Sequence, residues 1–159
     1  MAIMGIAAVI AVPAVQSGQH QREVRTTLQH FVAAVRQASS KAVLTRRTVE
    51  LWISTDDDTY ALAMPLDRDA SEDDQDLDDL ERDQARKVIG RIDLPESATF
   101  GEVKGGRSLD NDVIAIPFYP TGASGGGEIE FVFESRNARK SYVITIDPLV
   151  SSVDLKEES

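Results

Sequence analysis

Few side chains in this 159-residue sequence combine the type and the spacing that chemistry needs. The two histidines, His20 and His30, stand ten residues apart. On a helix that is nearly three turns, too far to share one metal ion, so both read as helix-surface residues. There is no cysteine, which removes thiolate metal sites, disulfides and a thiol nucleophile. Carboxylates are abundant, and ten of the 27 crowd into residues 67–83, "DRDASEDDQDLDDLERD", beside only two basic side chains. A calcium loop would need a glycine at its bend, and this run has none. It reads instead as a solvated loop with a short helical turn around Leu77 and Leu80, unable to bury enough apolar surface to offset its ordering entropy. A further reading has it docking electrostatically on Arg25, Arg36 and Arg47 of the same or a neighbouring subunit. "PTGASGGG" lacks the lysine and following helix of a phosphate-binding loop. No motif specifies catalysis, and no catalytic, cofactor-binding or metal-binding residue is assigned. A net charge of −10 argues against a general nucleic-acid binder.

The elements that must position any functional surface are easier to read. The chain opens "MAIMGIAAVIAVPAV", fifteen residues without a charge. As a helix that is about 22 Å, short of the roughly 30 Å hydrocarbon core of a bilayer. A secretory signal would need a basic start, which is missing. The stretch reads best as the second half of a longer apolar helix, whose first residues were lost to a truncation or a misplaced start. Ile3, Ile6, Val9, Ile10 and Pro13 are its candidate packing and anchoring residues. The helical pattern then runs on through 16–47. Val24, Leu28, Phe31, Val35, Ala38 and Ala42 form an apolar stripe at spacings of 4, 3, 4, 3 and 4. Arg25, Arg36 and Arg47, eleven apart, form a second stripe on another side. Pro13 and Ser17-Gly18 are soft points where the helix can bend.

From residue 48 the periodicity changes to two. "TVELWIS" and "YALAM" read as a hairpin around the turn at 56–58, ended by Pro65. Strands follow on either side of Pro95, "GGRSLDND" reads as a turn, and Val113–Tyr119 is a strand in which Pro117 signals an edge or a bulge. "EIEFVFE" and "SYVITID" flank the turn "SRNARK", and "VSSVDL" closes the sheet. One long helix followed by seven or eight antiparallel strands is the α+β class. Val24, Leu28, Phe31 and Val35 are expected to pack the helix on the sheet. Val49, Leu51, Phe131, Phe133, Val143 and Ile146 are expected in the core. The chain divides into an apolar segment 1–15, an amphipathic helix 16–47 and a β-rich head 48–159.

Three stretches resemble the type IV pilin-like proteins, and within them the minor pseudopilins of type II secretion, the GspH/FimT group. "AIMGIAAVIAVPAV" is similar to the second half of that family's N-terminal helix. "VRQASSKAVLTRRTVEL" has the layout of its amphipathic helix and first strand. "IAIPFYPTGASGGGEIEFVF" resembles its strand, F-x-P-x-G turn and strand, with Phe118, Pro120 and Gly122 at the motif positions. The family's processing glycine, aromatic and acidic residues have no counterpart here, so none is carried over. The resemblance implies a pilin-like fold and a structural role in a pseudopilus assembled by helix packing. Its partners would be other pseudopilins and secretion-machinery proteins. It also implies a single-pass anchor in the bacterial inner membrane, with the head in the periplasm. A FimT-like minor pilin in pilus assembly or DNA uptake is one alternative, and a soluble periplasmic or secreted β-rich domain is another.

Overall fold

A computed structural model of the chain describes residues 12–65 and 86–158. One helix, α1 (Val12–Thr45), is followed by nine described strands. They are β1 (Val49–Ser54), β2 (Thr59–Pro65), β3 (Arg86–Asp93), β4 (Ala98–Lys104), β5 (Arg107–Asp110), β6 (Val113–Phe118), β7 (Gly127–Ser135), β8 (Ala138–Ile146) and β9 (Val153–Glu158). They form two antiparallel sheets, a first in the order β3-β2-β1-β6-β5 and a second in the order β4-β7-β8-β9. This is an α+β architecture.

The helix is held by its stripe. Val24, Leu28, Phe31, Val35, Ala38 and Ala42 are all buried, the last four completely. Those spacings keep them on one face of a 3.6-residue helix, which lies against β1 and β6 of the first sheet and reaches the second. Phe31 joins all three layers, with its ring centroid 5.1 Å from Tyr60 of β2, 6.3 Å from Phe100 of β4 and 4.9 Å from Phe131 of β7. The helix ends in a Schellman-type turn. The Arg47 N–H donates to the Ala42 carbonyl at 3.3 Å, and Arg46 takes a left-handed φ of 54°.

In β1, Val49, Leu51 and Ile53 are fully buried, and in β7, Ile129, Phe131 and Phe133 are too, as a period of two requires. Two expectations fail. Val143 is not a core residue: it pairs with Glu130 and Lys156 on the outer face, while Ile144 and Ile146 point inward. Val143 and Ile146 are three apart, and in a strand an odd separation puts two residues on opposite faces. Residues 107–110 are not part of a turn. The turn is Gly105-Gly106, at φ of 86° and 71°, and Arg107–Asp110 pairs with β6 as an edge strand. All four of its residues are exposed, so no burial pattern marks it.

Pro117 sits where a strand tolerates proline. Its β1 neighbour is Glu50, and its carbonyl points to the other side, where it accepts from the Gly125 N–H at 2.8 Å. The missing N–H therefore lies on the flank where β5 has already ended.

Candidate assembly surface

The sequence-predicted residues separate into three places. Ile3, Ile6, Val9 and Ile10 lie outside the described residues, as does the acidic segment 67–83, and Pro13 falls in the first described turn of α1. Val24, Leu28, Phe31 and Val35 are at the buried contact between α1 and the head. Phe118, Pro120 and Gly122 are in the turn after β6. Among the described residues no helix is long and apolar enough to cross a membrane. None of their His, Asp and Glu groups clusters to hold a metal ion.

The turn motif is a clamp between the sheets. Phe118 is fully buried and fixes its start. Pro120 sits at the second position of a β-turn closed by Gly122 N–H donating to the Tyr119 carbonyl at 3.0 Å, where a fixed φ favours the bend. Gly122 has a φ of 89°, which a side chain would strain. Across from it, the Asp147 carboxylate accepts from the N–H groups of Leu149 and Val150 at 2.7 and 3.2 Å, shaping the β8–β9 turn. Buried Ser124 donates its hydroxyl to the Asp147 carbonyl, and the Ser151 hydroxyl donates to the Gly122 carbonyl at 2.8 Å. A turn of the first sheet and a turn of the second are thereby one rigid unit. It presents Tyr119, Leu149 and Val150 to solvent.

Two charged constellations were not legible beforehand. Glu50, on the face of β1 opposite the core, is buried. It accepts from the Trp52 indole at 2.9 Å and from the Arg107 guanidinium at 3.0 Å. The i, i+2 spacing of Glu50 and Trp52 in "VELWI" was the available signal. On the outer face of the second sheet, the Glu130 carboxylate accepts from the Glu102 N–H at 3.0 Å, in space left by Gly101 at a bulge. That backbone bond, helped by the Ser141 hydroxyl, holds Glu130 below the usual carboxylate range. Lys104, hydrogen-bonded to Glu102, is held above the usual lysine value. Inside the core, burial pushes the Tyr60 phenol up to about 12.

The helix's outward side carries the remaining features. His20 is half-buried and His30 exposed. Arg25 and Arg36 are exposed, and Arg47 is half-buried. Arg25 and Arg36 border a groove of about 1320 Å³ between α1 and the inward face of β8 and β9. Its far wall includes Arg136, Lys140, Tyr142 and Leu155, none of them expected from the sequence. Leu155 follows Val153 at a strand spacing of two, and that was the only sequence sign of an inward face there. The groove has an apolar floor and cationic borders.

The comparisons with known proteins agree with this geometry. The sequence model of the family described as Type II transport protein GspH matches residues 27–149. No curated protein matches the chain. The fold is similar to the minor pseudopilin EpsH from the Type 2 Secretion System of Vibrio cholerae, with a TM-score of 0.60 at 10% identity, over 85% of this chain and 97% of that one. It is also similar to the type IV minor pilin FimU of Pseudomonas aeruginosa in two crystal forms. One gives a TM-score of 0.52 at 12% identity over 85% and 97% of the two chains, the other 0.54 at 13% over 87% and 95%. At such identities the structural likeness speaks for the fold, and the family match, which covers the helix stripe from Leu28 onward, the strands from β1 to β8 and the turn motif, speaks for descent: the chain belongs to the GspH family of type II transport proteins.

Proposed function

We propose that this chain is a minor subunit of a type II secretion pseudopilus, working as a structural part. One observation carries the reading: α1 continues past the head. Its packed stripe begins at Val24, and Gly18, Gln19 and Gln21 to Glu23 are exposed, so the helix leaves the head toward the apolar opening residues. An apolar helix leaving lipid must bury itself again, and equivalent helices of neighbouring subunits provide that surface. Ile3, Ile6, Val9 and Ile10 are the contact residues in this account, and Pro13 with Ser17-Gly18 lets the head reorient during transfer. The partners are other pseudopilins and secretion-machinery proteins. The protein is a single-pass inner-membrane subunit with its head in the periplasm, and its surface serves assembly, with no reaction to catalyse.

The test is fractionation and secretion in a host whose own copy has been deleted. The wild-type gene restores export, and its product sediments with the inner membrane. Ile6→Asp/Ile10→Asp places charges in the contact and abolishes both. Full export by a soluble Ile6→Asp/Ile10→Asp protein would end this reading. The similarity to FimU supports a second one, a minor type IV pilin in pilus assembly or DNA uptake. Retention of duplex DNA by the purified chain at low salt would favour it. Against it stands an acidic C-terminus, "DLKEES", in a chain of net charge −10.

A further inference from the structure

The inward face of the second sheet is covered at one end and open at the other. Along β8, Ile146 and Ile144 are buried, Tyr142 is half-buried and Lys140 is exposed. Their β9 partners follow the same course, from half-buried Val153 to Leu155 at 53% exposure and then exposed Glu157. A core face thus runs out from under α1 and forms the floor of the 1320 Å³ groove, with Val32 of the helix as its opposite wall. That volume exceeds what a small ligand needs, about 300–1,000 Å³. The helix wall runs from His20 to Arg36, about 24 Å, the length of a four-turn helix.

Charge indicates what lies there. The chain is strongly acidic, yet the groove borders are cationic. Lys140 is neutralised by Glu157 at 2.9 Å. Among the described residues, Arg25, Arg36 and Arg136 have no carboxylate partner. Guanidinium groups beside an apolar floor suit a segment with aliphatic side chains on one face and carboxylates on its flanks. We propose that this groove seats an acidic amphipathic helix contributed by a neighbouring subunit. The source of that helix rests on the pseudopilus reading, whereas the groove's preference for acidic over basic helices stands on its own.

The experiment uses the full chain in mild detergent and two fluorescent peptides of about 18 residues, both with leucines at i, i+3, i+4 and i+7. One carries glutamates on its flanks and the other lysines. Anisotropy titrations are expected to show the glutamate peptide binding at least about tenfold more tightly, with the advantage shrinking as salt rises. Arg25→Glu/Arg36→Glu, both exposed and outside the core, should weaken that peptide about tenfold and strengthen the lysine peptide. Leu155→Ser should weaken both peptides, since it removes floor and leaves charge intact. Equal affinity for the two peptides would overturn the proposal. So would an affinity untouched by Arg25→Glu/Arg36→Glu, or displacement by a short DNA duplex at lower concentration than by the glutamate peptide. If the peptide preference holds while the membrane and export test fails, the pseudopilus reading falls and the groove's specificity stays. The reverse result sinks only the groove.

Discussion

Phe31→Ala should be the most damaging single truncation at the contact between α1 and the head. The ring is fully buried and makes edge contacts with Tyr60, Phe100 and Phe131 at centroid distances of 5.1, 6.3 and 4.9 Å. Removing a buried phenylalanine costs about 3–5 kcal/mol, as lost transfer energy plus the cavity left behind. The aromatic contacts, worth about 0.5–1.5 kcal/mol each, place this site toward the upper half of that range. A loss of about 4 kcal/mol is a large part of the roughly 5–15 kcal/mol that keeps a domain folded. With a urea slope of about 1.5–2 kcal/mol/M the midpoint falls by about 2–3 M. Phe31→Leu, which refills most of the space, should cost only about 1–1.5 kcal/mol. The assay is urea unfolding of the full chain in mild detergent, followed by far-UV circular dichroism and by fluorescence of Trp52, the single tryptophan, on β1. Because Phe31 bridges the helix and both sheets, the two probes should move together. A loss below about 1 kcal/mol, or a helix signal that shifts while the Trp52 signal does not, would refute the idea that this ring couples the three layers.

Other perturbations give further checks by the same unfolding assay. Arg46→Gly removes a side chain from a left-handed cap with φ of 54°, and should raise stability by about 0.5–1 kcal/mol. Arg107→Ala strips a guanidinium from the buried Glu50 carboxylate and should cost about 1–2 kcal/mol, discounted because Arg107 itself is 61% exposed. In a Glu50→Gln background the same change should cost about 1 kcal/mol less, and additive losses would show that the pair is uncoupled. For Tyr60 the folded-state pKa is raised from 10.0 to about 12, so the unfolded chain loses that proton first. The contribution is fully present below pH 10 and is lost as pH rises toward about 12. Tyr60→Phe should flatten that part of the alkaline decline, and an unchanged pH slope would contradict the burial argument.

What could be read from the sequence follows physical periodicity. The 4, 3, 4, 3, 4 stripe from Val24 to Ala42 places itself, because only one face of a helix can hold it. Val49, Leu51 and Ile53, like Phe131 and Phe133, obey the strand period. Val143 is as hydrophobic as a core residue, but its odd separation from Ile146 puts it on the outer face. The edge strand at 107–110 left no trace, since it is held by backbone pairing and buries nothing. Glu50 reads as a wet strand residue until Arg107, 57 positions away, is folded over it. The groove was illegible for a similar reason. It lies where α1 and the far end of β8 and β9 part, and no local pattern encodes where two elements part. The turn motif was visible as Phe118, Pro120 and Gly122, but its bonds to Asp147 and Ser151 were not.

The proposed packing of the apolar opening residues against sister subunits can be probed in the cell. A photocrosslinking amino acid at position 6 or 10, in the chromosomal gene of a secreting strain, tests it most directly. Illumination during export should yield adducts with other pseudopilins, and Ile6→Asp introduced beside a crosslinker at position 10 should remove them. Full export with no protein adduct from either position would contradict it.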